Sequence, residues 1–145
     1  MRPAASNVLA FGSCLALVLF GCKSGLPGPA TGPHRAQPDT TATVISYPPP
    51  AVKVECVPEQ PRDECVWVDG SWKRSGSHWE WQVGAWVVPP SGCYYAAAYS
   101  QWIRVGPRSE RDQLYYFEAA WYPQTPTGSC AEPRVCQNAT TLEDC

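Results

Sequence analysis

A repeated pattern of tryptophan and glycine constrains the fold of this chain more than any other feature. The segment Trp67–Trp72 has the form Trp-x-x-Gly-x-Trp, and the same form returns at Trp81–Trp86, 14 residues later. A weaker third copy, Tyr116–Trp121, keeps the aromatic spacing but has alanine at the glycine position. Aromatic and β-branched residues surround each copy and favour strands. The pattern therefore predicts paired β-strands.

The turn-forming residues 75–77 lie between the first two copies and predict a hairpin. If its loop holds two or four residues, strand alternation defines two faces. We expect the nearly apolar face to be the core, with Trp72, Trp79 and Trp81 each burying about 150–250 Å². That face would carry Val66, Val68, Gly70, Trp72, Trp79, Trp81, Val83, Ala85 and Val87. Either of two registers fits, with paired positions summing to 151 or to 153, and a bulge at a motif glycine would break the assignment.

The opposite face carries the candidate binding residues Trp67, Trp86, Asp69 and Gln82. Trp67 and Trp86 would form an exposed aromatic platform next to polar groups. In the alternative interpretation, the second hairpin or the C-terminal tail covers both indoles as a second apolar layer.

The repeats resemble those of bacterial envelope proteins with YXWGXW (WxxGxW) repeats, many of which are small lipoproteins. The resemblance covers about Val66 to Pro90 and about Tyr115 to Pro123. That family has no established biochemical activity, so the resemblance implies a cell-envelope setting and no particular reaction.

The N-terminus has the pattern of an export signal. Arg2 precedes an apolar run, Val8–Phe20, that is shorter than the about 20 residues of a membrane-spanning helix. The run closes as Leu-Phe-Gly-Cys at 19–22, which resembles a bacterial lipoprotein signal and implies lipidation of Cys22 after removal of residues 1–21. Simple secretion and a retained helix are the alternatives. By the same resemblance, Lys23 favours the outer membrane.

Residues 22–50 are rich in Pro, Gly, Thr and Ala and predict a disordered, lipid-anchored linker. Such a linker would hold the body tens of ångströms from the membrane, at about 3.1 Å per residue. His34 lies within it and is expected to be solvated.

Six cysteines follow the linker, and their even number predicts a disulfide framework. Spacing does not select a connectivity, although an equal spacing within the first and the last pair favours two local bridges and a bridge between the middle two. A zinc site is the alternative, but the spacing is unlike that of zinc ligands. The cysteines are Cys56, Cys65, Cys93, Cys130, Cys136 and Cys145.

The whole pattern predicts an all-β protein with a small antiparallel hairpin or meander sheet of about five strands, stapled by disulfides. Val52 to Cys56 would form a first strand, and Cys93–Val105 with Gln113–Tyr122 a second hairpin, although the alanines at 96–98 also suit a helix. The repeat domain would span 51–123. Residues 124–145 would form an irregular, Cys-rich tail packed on it.

Function is less constrained than fold. The sequence has no nucleophile elbow, phosphate-binding glycine loop or recognisable carboxylate pair, so we expect neither an enzyme nor a cofactor. Without Arg2, thirteen acidic residues exceed ten basic ones, which disfavours nucleic-acid binding. Two hypotheses remain: a non-catalytic, lipid-anchored envelope protein that acts as a structural or interaction module, and a glycan- or cell-wall-binding module.

Overall fold

The computed structural model describes residues 25–35, 42–104, 106 and 112–141. These residues form twelve strands and no helix, which confirms the all-β prediction. Among them, no helix is long and apolar enough to cross a membrane. The signal, Cys22 and Cys145 lie outside the described residues. The strands are β1 (Ala42–Ile45), β2 (Glu55–Cys56), β3 (Val66–Val68), β4 (Ser71–Ser75), β5 (His78–Gln82), β6 (Ala85–Val88), β7 (Cys93–Ala96), β8 (Tyr99–Arg104), β9 (Asp112–Phe117), β10 (Ala120–Pro123), β11 (Arg134–Asn138) and β12 (Thr140–Thr141).

The strands form five small sheets rather than one sheet of about five strands. Their orders are β1-β9-β8, β10-β7, β11-β6-β3, β12-β2 and β4-β5, and every strand pair is antiparallel. Both hairpins are interrupted midway, the first at the motif glycines and the second at residues 97–98 and 118–119. These interruptions divide two long ribbons into short ladders.

The first hairpin adopts the register in which paired positions sum to 153. Trp67 pairs with Trp86 and Trp72 with Trp81, so the register is the same on both sides of the interruption. A two-residue turn joins Ser75 to His78, and its Gly76 has φ +58°. Glycine adopts this left-handed conformation without the steric penalty of a Cβ atom.

The second hairpin is confirmed as two ladders. β8 pairs with β9, and β7 pairs with β10, so residues 94–102 are strand rather than helix except at 97–98. β1 adds to the other edge of β9. Upstream, the expected strand from Val52 to Cys56 is reduced to Glu55–Cys56.

The linker prediction is wrong for the described part of 22–50. Residues 25–35, hereafter the strap, lie against the body, and 42–45 form β1. The strap makes backbone hydrogen bonds from Trp67 N to Pro27 O (2.7 Å) and from Tyr95 N to Ala30 O (2.8 Å). His34 Nε2 lies 2.8 Å from Ala97 O, so His34 is partly buried rather than solvated. Composition missed this in part because three of the strap's contacts are backbone hydrogen bonds, which no residue type identifies.

The C-terminal tail is also more regular than predicted. β11 pairs with β6 across a bulge, and β12 pairs with β2. The tail therefore completes a sheet of the first hairpin. Short polar strands such as Arg134–Asn138 carry little propensity signal, and their pairing with a distant partner decides their conformation.

The disulfide framework is present, but its expected connectivity is only partly right. Cys93 bonds to Cys130 as expected, whereas Cys65 bonds to Cys136 across 71 residues, which excludes both local bridges. Cys56 is also disulfide-bonded. The equal spacing did not decide the pairing because β11 brings Cys136 beside the start of β3.

Two apolar clusters lie in the body. One consists of Cys65, Trp67, Trp86 and Ala139, and the other of Ile45, Leu114 and Tyr116 packed against Trp72 and Trp79. The first hairpin contributes to both clusters. Each face of this ribbon is therefore covered by a different part of the chain.

Candidate functional site

The repeat motif forms a crossed arrangement of tryptophans over glycines. A Cβ atom on Gly70 would lie 2.5 Å from Cζ2 of Trp81, and one on Gly84 would lie 2.8 Å from Cζ2 of Trp67. The first tryptophan of each copy thus covers the glycine of the other. Trp67 also meets Trp86 edge to face at 5.5 Å between ring centroids, and Trp72 meets Trp81 at 5.1 Å. Glycine is required here because any side chain would displace an indole ring.

Each covering tryptophan donates its indole N–H to a carboxylate. Trp67 Nε1 donates to Asp69 Oδ1 at 2.7 Å, within its own copy of the motif. Trp81 Nε1 donates to Glu55 Oε1 at 2.6 Å, and the amide of Gly84 donates to the same carboxylate at 2.9 and 3.1 Å. The second copy has Val83 where the first has Asp69, so Glu55 of β2 supplies its missing acceptor.

The predicted aromatic platform is wrong, because both of its tryptophans are in the core. Trp67 is 6% exposed and Trp86 1% exposed. The indole N–H of Trp86 donates to Pro58 O at 2.8 Å. The alternative interpretation holds: Ala139 and Cys136 of the tail belong to the cluster that covers them. The expectation that the nearly apolar face alone would be the core is also wrong. Trp67 and Trp86 are buried on the other face, and Val83 on the nearly apolar face is 40% exposed.

The two polar candidates separate. Asp69 is exposed next to Trp67, whereas Gln82 is exposed on β5 opposite Ser71. Of these two, only Asp69 borders a cleft between the strap and the two hairpins. Of the four predicted site residues, the buried Trp67 and the exposed Asp69 therefore border this cleft, whereas Trp86 and Gln82 do not.

A cleft with a volume of about 520 Å³ lies between the strap, the first hairpin and the second hairpin. One wall consists of strap residues from Leu26 to Thr31, and another of residues 67–72 around the first motif. Residues 97–100 and the side chains of Tyr95 and Tyr116 line the side of the second hairpin. Pro49, Pro50 and Val52 border the remaining edge.

Aromatic surface combined with isolated polar groups gives the cleft its chemistry. Trp72 and Tyr95 are partly buried, and Tyr99 is 41% exposed and stacks on Phe117 at 4.5 Å between ring centroids. Burial, together with the charge of Asp69, raises the pKa of Tyr95 to about 12, so its hydroxyl stays protonated at neutral pH. The cleft can therefore offer aromatic faces, a carboxylate acceptor and a hydroxyl donor.

Within residues 25–35, 42–104 and 112–141, no group of three or more His, Cys, Asp or Glu side chains could hold a metal ion. His78 Nε2 lies 2.9 Å from Glu80 Oε1, but both side chains are solvent-exposed on β5. This pair is an ordinary surface ion pair when His78 is protonated.

Comparison with protein-family models, curated proteins and solved structures gives no match to this chain. The site is therefore interpreted from its own residues.

Sequence reasoning missed three functional candidates: Glu55, Tyr95 and Tyr99. The alternation of Glu55 with valines predicted a strand and indicated no partner for its carboxylate. Tyr95 and Tyr99 lie in the segment whose alanines obscured the strands. No local signal in the sequence would have brought Tyr95 together with Asp69, because the strap and the two hairpins define the cleft jointly.

Proposed function

We propose that this protein is a non-catalytic, lipid-anchored cell-envelope protein whose body is an interaction module that binds its partner in the cleft. The lipoprotein-type signal ending at Cys22 supports the anchor, and Lys23 supports the outer membrane as its location. The cleft carries the binding part of the proposal, because its 520 Å³ is within the about 300–1,000 Å³ of typical ligand sites. The partner is an envelope protein or a cell-wall layer.

A glycan is the second candidate ligand, and the composition of the cleft favours it. Sugar rings stack on aromatic faces, and their hydroxyls need acceptors and donors at the rim. Trp72, Tyr95 and Tyr99 supply aromatic surface, while Asp69 and Ser71 supply polar atoms. The glycan hypothesis therefore no longer depends on an exposed platform of Trp67 and Trp86, which are buried. It depends instead on the residues that line the cleft.

Titration distinguishes the two candidates. The mature Cys22→Ala protein is titrated with peptidoglycan fragments and with exopolysaccharide oligomers while tryptophan fluorescence is followed. Saturable binding, weakened by about 1–3 kcal/mol in Tyr99→Ala, supports a glycan ligand. Trp102→Ala is the matched control, because Trp102 is 60% exposed on β8 and does not line the cleft.

Equal weakening by Tyr99→Ala and Trp102→Ala would place binding outside the cleft. If no oligomer binds, cross-linking from the cleft to an envelope protein tests the first candidate. Loss of that cross-link in Tyr99→Ala, but not in Trp102→Ala, supports a protein partner.

The anchor is tested separately. The full chain with Cys22→Ala should leave the membrane fraction, because acyl chains contribute about 0.8 kcal/mol per buried methylene. An inhibitor of the lipoprotein signal peptidase should leave the wild-type precursor uncleaved. Membrane retention of a cleaved Cys22→Ala protein would contradict lipidation.

A further inference from the structure

The strap docks on the body very close to the predicted anchor. Pro27 O accepts a 2.7 Å hydrogen bond from Trp67 N, at the edge strand β3 of its sheet. Only five peptide units separate Cys22 from Pro27. A fully extended chain covers at most about 3.6 Å per residue, so the two Cα atoms are at most about 18 Å apart.

We propose that the lipidated body lies directly on the membrane surface, with the face around Leu26 against the lipid headgroups. This rests on the proposed lipid anchor. The segment from Cys22 to Pro27, hereafter the leash, is at most about 18 Å long. A fully undocked linker of residues 22–50 would instead reach about 85 Å. About 6 Å of that leash lies within the headgroup layer. The water gap beneath the body is therefore at most about 12 Å.

The face next to the leash suits a lipid surface. It surrounds a shallow hollow lined by Leu26, Val57, Pro58, Glu59 and Gln60, in which Leu26 is 52% and Val57 40% exposed. Trp86 Nε1 donates to Pro58 O at 2.8 Å, and Gln60 Nε2 donates to Cys65 O at 2.9 Å. These bonds join the residues around the hollow to the buried core. When this face lies on the membrane, the orientation of the whole body is therefore set.

Charge in the hollow defines which lipids are needed. Glu59 is the charged residue among those that line it, and no Lys or Arg is among them. The contact therefore does not depend on anionic lipid, in contrast to polybasic membrane contacts. Leu26 also lines the cleft, so a cleft ligand binds next to the membrane.

Two matched insertions test the proposal in the full lipidated protein. Twenty Gly and Ser residues are inserted after Ser24, before the strap, or after Gln37, beyond it. Such a segment adds about 25 Å of root-mean-square reach. Neutron reflectometry on a supported phosphatidylethanolamine bilayer then measures the water gap below the protein layer.

We expect a gap of at most about 12 Å for the wild type and for the insertion after Gln37, and a wider gap only for the insertion after Ser24. Adding phosphatidylglycerol should leave the gap unchanged. Any of three results would overturn the proposal. The wild-type water gap could be tens of ångströms, both insertions could widen the gap equally, or the contact could require the anionic lipid. Mass spectrometry of the N-terminal lipopeptide separates the two failures: an unmodified Cys22 refutes the anchor, whereas a lifted but acylated protein refutes only the docked strap.

Discussion

Replacing Gly84 with alanine should destabilise the body strongly, although the change adds only one methyl group. The new Cβ would lie 2.8 Å from Glu55 Oε2, 2.8 Å from Trp67 Cζ2 and 2.9 Å from the backbone N of Gly70. One neighbour lies in β2 and the other two in the first motif copy, and one of them is main chain, so no single rotamer change relieves the overlap. Gly84 is buried and does not have positive φ, so the cost is steric rather than conformational.

The magnitude follows from two costs and one offset. Overpacking costs about 1–3 kcal/mol. Displacing Glu55 strains charge-assisted hydrogen bonds from Trp81 and from the residue-84 amide, which are worth about 1.5–3 kcal/mol. The loss of a glycine from the unfolded chain returns about 0.4–1 kcal/mol. We expect a net loss of about 2–5 kcal/mol in the free energy of unfolding.

Urea unfolding of the oxidised protein, followed by tryptophan fluorescence, measures this loss. With a slope of about 1.5 kcal/mol per molar urea, a loss of 3 kcal/mol lowers the midpoint by about 2 M. Gly28→Ala is the matched control, because Gly28 is exposed and a Cβ there would meet nothing within 4 Å. If Gly84→Ala and Gly28→Ala unfold at the same midpoint, the crossed packing of the motif is refuted.

A double-mutant cycle locates the source of the cost. Glu55→Ala removes one of the overlapping atoms, so Gly84→Ala should cost less in that background than in the wild type. If the two substitutions change the free energy of unfolding additively, Glu55 does not interact with the added methyl group.

Three further outcomes are expected. Trp86→Ala should cost about 3–5 kcal/mol in the same assay, whereas exposed Trp102→Ala should stay within about 0.5 kcal/mol; similar values would contradict the buried assignment. Burial raises the pKa of Tyr116 to about 12, above its unfolded value of about 10, so its contribution to stability is complete below pH 10 and is lost between pH 10 and 12. Tyr116→Phe should therefore flatten the decline in the unfolding free energy over that range, and an unchanged slope would refute the assignment. Peptide mapping without reduction should recover the Cys65–Cys136 bridge, and replacing both with serine should cost about 2–4 kcal/mol; recovery of a local bridge from Cys65 would contradict the fold.

The candidate site was predictable only in its parts. Asp69 was identified from its position next to Trp67, but the aromatic surface near it was assigned to the wrong residues. The cleft depends on the strap, whose proline-rich composition is typical of a linker. Three of its contacts with the body are backbone hydrogen bonds, at Pro27, Ala30 and Gly32, and a sequence pattern does not encode these.

The sequence by itself determined the strands, the turn and the register of the first hairpin to within one alternative. Alternation and turn chemistry act between neighbouring residues, so they can be read locally. Tertiary structure alone decided which face of the ribbon is most deeply buried. Pairing of β11 with β6 places Trp86 in the central strand and brings Cys136 to Cys65, and it joins segments about 50 residues apart. Alternation separates the two faces of a strand, but only the segments that pack on each face determine which one water reaches.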